Sequence, residues 1–177
     1  MRRKTFDALL STGGLLIAAL LIIAGGLLTW AHSFVDNQVR TQLVAQKIVF
    51  PAAGSASISD PAIKPYLTQY AGQTMTNGAQ AEAWADHYIA VHLQKIGGGQ
   101  TYAQLSAKAQ ADPTNTTLAN TVNTVFKGET LRGLLLNAYA FWKMAQIAMI
   151  AAIIAFIGAG VFLLLSALGF LHLRRVD

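Results

Sequence analysis

MAQIAMIAAIIAFIGAGVFLLLSALGFLHL, residues Met144 to Leu173, decides the fold: it holds no charged side chain and is bounded by Lys143 on one side and by Arg174 and Arg175 on the other. A helix needs roughly 20 apolar residues to cross a hydrocarbon core of about 30 Å. The stretch is long enough, and it predicts a transmembrane helix over 144–173. Working outward, the chain of 177 residues is 54% hydrophobic and only 12% charged, a composition foreign to ordinary soluble domains. The excess sits in two blocks. The second is the uncharged run from Ala8 to Phe34, whose core Leu9 to Trp30 is also long enough to span, and it predicts a transmembrane helix over 8–31. A signal peptide is the competing reading, with Thr29-Trp30-Ala31 as a loose cleavage site, but its apolar region would be about 7 to 15 residues. The run is longer than that, so an uncleaved anchor is expected.

Charge then sets the expected topology. Net charge is +5, yet Arg2, Arg3 and Lys4 lie in the tail 1–7 and Arg174 and Arg175 in the tail 174–177. Short positive flanks stay in the cytoplasm, whereas a long intervening segment is translocated largely regardless of its charge. Both termini are expected inside a bacterial plasma membrane, with residues 32–143 extracytoplasmic. Trp30, Tyr139 and Trp142, with Lys143, Arg174 and Arg175, are the expected interface anchors, because amphipathic rings and long cations settle at the headgroup level. The segment between the blocks is nearly balanced and has no basic run interleaved with aromatics, which argues against nucleic acid as a partner. Cysteine is absent, so disulfides and thiolate chemistry are excluded.

The spans carry a packing signal. Ala145, Ala148, Ala152, Ala155 and Ala159 recur at alternating steps of three and four, with Ser166 and Gly169 continuing the series. Ser11, Gly14, Ala18 and Gly25 follow a compatible pattern in the first span. Small side chains on one stripe let helix backbones approach closely in lipid, where contact energy must hold helices together. The stripes are expected to form a seam against each other. Neither span carries an Asp, Glu, Lys or Arg near mid-depth, as a proton relay or ion path would require.

Between the spans the pattern predicts an all-α extracytoplasmic bundle. Val35, Val39 and Leu43 extend the first helix as a stalk that stops near Ile48-Val49-Phe50-Pro51, since a residue before proline is pushed towards extended geometry. Pro51, Pro61 and Pro65, with Gly54 and several serines, make 51–76 a long irregular loop in which Tyr66, Leu67 and Tyr70 can pack down. Asn77 and Gln80 fit a capping box for a helix over 77–96 ended by Gly97-Gly98-Gly99, and Thr101 and Gln104 fit a second over 101–111. Asp112-Pro113 opens a helix over 113–127 that Lys127-Gly128 closes, and Glu129-Thr130 opens another over 129–143 that runs into the second span.

Candidate chemistry is sparse. His87 and His92, with Glu82 and Asp86 nearby, are the residues a non-haem iron site would use. On an α-helix, five residues separate the two imidazoles by about 140°, whereas ligands on one face need three- or four-residue spacing. A structural role is therefore favoured, and no metal or other cofactor is expected. Trp84 and Tyr88, four residues apart, read as core before they read as a ligand platform. The triple glycine lacks a following lysine and a preceding strand, so it is a helix stop. Asn115-Thr116-Thr117 has the pattern of a glycosylation acceptor.

Four segments together, Gly25-Gly26-Leu27-Leu28-Thr29-Trp30, Gln46-Lys47-Ile48-Val49-Phe50-Pro51, Ala85 to Leu93 and Gly128 to Tyr139, resemble a family of small actinobacterial two-span membrane proteins over nearly the whole chain. The resemblance implies the topology and the bacterial plasma membrane. Members often carry the label of an aromatic ring-opening dioxygenase small subunit. In the soluble enzyme of that name the iron lies in a separate large subunit, and this sequence offers no iron triad, so the activity is not carried over. The expected function is that of a non-enzymatic membrane protein whose outer domain binds or steadies a protein partner or a second copy, as an accessory to a larger envelope or respiratory complex. The alternative is an extracytoplasmic ligand sensor that signals through a partner. A dioxygenase stands third.

Overall fold

The computed structural model describes residues 3–175, so the parts of the two tail expectations that concern Met1, Arg2, Val176 and Asp177 lie outside the described residues. The described chain is helical, with no strand, and two of its helices are long and apolar enough to cross a membrane. Helix α1 covers Arg3–Ala45, α2 Lys64–Leu67, α3 Gly78–Trp84, α4 Ala90–Ile96, α5 Tyr102–Ala111 and α6 Thr116–Arg175. A π turn, Ala85–Ile89, joins α3 to α4, and single 3-10 turns occupy Ala56–Ile58 and Thr68–Tyr70. The chain divides into two compact units, one of residues 1–35 with 144–177 and one of residues 36–143.

In the first unit, stretches of α1 and α6 pack antiparallel. Gly14 lies against Ser166, Leu21 against Gly158, Gly25 against Phe156 and His32 against Ala145, so the residue number falls on one helix as it rises on the other. The buried positions are small: Ser11, Ala18 and Gly25 on α1, and Ala145, Ala152, Ala155, Ala159 and Ser166 on α6. Spacings of seven (11, 18, 25 and 145, 152, 159, 166) mark the 3.5-residue repeat of a left-handed helix pair. The large side chains point the other way, with Leu10, Leu20, Ile154 and Leu164 at 67%, 66%, 65% and 68% exposure.

The second unit corrects several expectations. Helix α1 ends at Ala45, not near Val49, because Lys47 turns left-handed at φ 52° and Gln46 and Lys47 donate back to the Leu43 and Val44 carbonyls. Ile48 to Phe50 then runs extended and pairs with the far end of the following segment: the Phe50 amide donates to Gln73 and the Met75 amide to Ile48. That pairing draws the largely irregular segment 51–76 into a packed strap, with Leu67 buried and Tyr70 against Phe50. The strap holds α2 and both 3-10 turns, and it buries Ile58, Ile63, Leu67 and Met75 beside Phe50. Asp60 organises its middle, accepting the Ala62 amide on its side chain and the Ile63 and Lys64 amides on its carbonyl.

The expected helices 113–127, 129–143 and 144–173 are one unbroken helix, α6. Its first turn is capped by Asn115, whose side chain accepts the Leu118 amide, so the start falls after Asp112-Pro113. Gly128 is no stop. A Cβ there would run into the Leu93 side chain, so the glycine is a notch that lets α4 approach α6. The Asn77 cap is formed with the Gln80 amide, but the Gln80 side chain returns to the Thr76 amide instead of closing the box on Asn77. Thr101 and Gln104 make both bonds of theirs.

Candidate functional site

Two groups of residues have the density of interaction expected of a site, one in each unit. The first is the helix seam. Ser11, Ala18, Gly25, Ala145, Ala152, Ala155 and Ala159 are buried, and Gly14 and Ala148 are half-buried on the same faces. The contacts explain the residue sizes: a Cβ at Gly14 or at Gly169 would collide with the Ser166 or the Ser11 hydroxyl, and one at Gly25 would lie 2.8 Å from the Phe156 ring. His32, one seven-residue step beyond Gly25, donates from Nδ1 to the Ala145 carbonyl at 2.9 Å. A carbonyl only accepts, so that nitrogen carries its proton. His32 was legible in the sequence as the next member of the 11, 18, 25 series.

The expected interface anchors fall in different surroundings. Trp30 is exposed and stacks on Phe34 with centroids 5.7 Å apart, and Lys143, Arg174 and Arg175 are exposed. Tyr139 and Trp142 are half-buried, and Trp142 lies directly beneath Gly78, where any β-carbon would overlap it. In this unit Trp142 is a packing residue for the start of α3.

The second group surrounds the π turn. One extra residue in the turn, closed by the Ala90 amide donating to the Ala85 carbonyl, displaces the side chains from α-helical phase. The angle of about 140° between His87 and His92 belongs to an unbroken α-helix, and the wide turn sets it aside. Each ring has its own partner. His87 lies flat on Tyr66 of the strap, centroids 3.4 Å apart and planes within 2°. His92 packs on Tyr88 at 4.4 Å and donates from Nδ1 to the Tyr88 carbonyl at 2.7 Å. Trp84 stacks on Tyr88 at 4.2 Å and meets Phe50 edge-on at 5.1 Å, and Phe50 meets Tyr70 at 5.3 Å. The two Phe50 pairs are tilted or edge-on at separations where aromatic pairs add about 0.5–1.5 kcal/mol each beyond the area they bury.

Charges tie the same region together. Asp86 in the π turn accepts from Arg132 of α6 at 2.8 Å, and Arg132 also reaches Glu129 at 3.4 Å. The hydrogen bond to Asp86 is the main reason the Arg132 guanidinium is held above its ordinary pKa. Asp60 of the strap pairs with Lys95 of α4, and this bond, followed by that from the Ala62 amide, lowers the carboxyl from its ordinary range. Asp60, Lys95 and His92, with Ser57 and Ser59, line a polar recess of about 380 Å³. Sequence reasoning missed the partners Arg132 and Asp60, because nothing local in the sequence places residue 86 beside 132 or 60 beside 95. Among the described residues no three His, Asp or Glu converge to hold a metal. The arrangement stacks, caps and pairs.

Comparison with known proteins finds no matching family model, no matching curated protein and no matching solved structure.

Proposed function

We propose that the chain is a non-enzymatic integral protein of the bacterial plasma membrane that crosses the bilayer through α1 and α6, with both termini cytoplasmic. Residues 32–143 form an extracytoplasmic helical bundle that binds or steadies a protein partner, as an accessory of a larger envelope or respiratory complex. The observation that carries the reading is the inverted first unit, where Ala, Gly and Ser fill the inside and Leu and Ile cover the outside. In water each such exposed side chain would forgo about 1.5–3 kcal/mol of burial, whereas in lipid it is already in its preferred solvent. The partner role is supported by the second unit, whose polar side chains serve its own packing while Phe126, Leu134 and Phe141 stay exposed along one side of α6.

Alkaline carbonate washing of membranes should leave the protein in the pellet. Protease added to intact spheroplasts should cut within 32–143 and spare both tails. Purification in mild detergent at native abundance should bring down a partner, or a second copy, identifiable by mass spectrometry. A chain that runs alone and crosslinks to nothing would refute the accessory role. The polar recess at Asp60, His92 and Lys95 favours a second reading, a ligand sensor that signals through a partner. A small-molecule thermal-shift screen on the full chain that stays flat would remove that reading.

A further inference from the structure

We infer that the first unit carries a groove for one acyl chain of an anionic phospholipid, a proposal that rests on the membrane reading above. Where the start of α1 meets the end of α6, the seam opens into a cavity of about 590 Å³. Gly13, Gly14, Leu10 and Leu165 are among its lining, and Asp7 and His172 are the ionisable groups that line it. On α1 the lining extends from Asp7 to Ile17, and on α6 from Phe162 to His172. Because the helices are antiparallel, Asp7 is level with His172, and Ile17 with Phe162. Ten residues at 1.5 Å each make the groove about 15 Å long, half of a hydrocarbon core of about 30 Å. It is polar at one end, apolar at the other, and one leaflet deep.

That length selects the occupant. A spanning helix from a second copy would need a groove along the full thickness, whereas a lipid chain of one leaflet ends at the midplane. Left empty, the groove would forfeit the dispersion contacts of its whole lining. Beyond the polar end, among the described residues, lie Arg174 and Arg175, both exposed, with Asp7 as the carboxylate lining the groove. The two arginines favour an anionic headgroup, as basic residues at a membrane surface do.

Two glycines supply the test. A Cβ at Gly13 meets no heavy atom within 4 Å, so a larger side chain there enters the groove without pushing the helices apart. Gly26 is equally open and lies outside the groove. The full chain is reconstituted in nanodiscs of equimolar phosphatidylglycerol and phosphatidylcholine, delipidated in mild detergent, and weighed by native mass spectrometry. The wild type and Gly26→Leu should each retain one phosphatidylglycerol per chain, and Gly13→Leu should lose it. Equal retention by Gly13→Leu, retention of both lipids in the proportion supplied, or a Gly13→Leu effect on oligomeric mass in place of lipid would each overturn the proposal. Release of the protein by carbonate would instead sink the membrane reading beneath it, an outcome the lipid measurement does not mimic.

Discussion

Two glycines of α6, five residues apart, are indistinguishable by sequence and opposite in their surroundings. Gly133 has nothing within 4 Å of a Cβ, whereas at Gly128 a Cβ would press on Leu93, which is itself buried, with its Cδ1 only 2.9 Å away. Glycine in a helix interior costs about 1 kcal/mol relative to alanine. Gly133→Ala should therefore raise the thermal midpoint of the second unit's unfolding, while Gly128→Ala should lower it, because overpacking of about 1–3 kcal/mol outweighs the propensity gain. Equal shifts for the two variants would mean that the notch is absent. A charged pair gives a pH signature at the same scale. The Asp60 carboxyl is lowered from the usual 3.8, mainly by its bond to Lys95. Its contribution is therefore complete above that value and is lost as the pH falls through the lower, folded one. Asp60→Asn should lower the thermal midpoint near neutral pH, and the difference from the wild type should close in strong acid.

At the scale of elements, the strap 51–76 and the helix pair α3 and α4 depend on each other through Phe50, which directly precedes the strap, is 1% exposed and is in ring contact with Tyr70 and Trp84. Phe50→Ala should cost about 3–5 kcal/mol. Limited proteolysis within 51–76 should accelerate, and helical circular dichroism, which α1 and α6 dominate, should change little. How legible each element was in the sequence follows from the range of its determinants. The two long apolar helices and the small-residue stripes were legible because their signals are periodic and local: uncharged runs of sufficient length, and spacings of three and four that put Ala145, Ala148, Ala152, Ala155 and Ala159 on one face. The strap was hidden because Ile58, Ile63 and Met75 follow no helical or strand period, and their burial depends on long-range pairing with Ile48 and Phe50. The π turn had no sequence signal at all. The continuity of α6 was concealed by Lys127-Gly128, since glycine marks a helix end and a close approach with the same letter.

For the molecule as a whole, the decisive quantity is the register between the two long apolar helices, because the seam, the groove and the exposed apolar surface follow from it. The chain contains no cysteine, so introduced thiols report without background. A Cβ at Gly14 would lie 3.7 Å from the Ser166 Cβ, close to the mean of about 3.8 Å in disulfides. The double variant Gly14→Cys with Ser166→Cys should oxidise within one chain in isolated membranes. After proteolysis between α1 and α6, the two fragments should migrate together without reductant and separate with it. Gly13→Cys with Ser166→Cys moves one thiol about 100° around α1 and should give little crosslink. If the two pairs crosslink alike, the helices slide or rotate freely and the seam does not fix them. If only the first does, the small residues set one antiparallel register, and the large apolar residues opposite them are left on the outer faces of the pair.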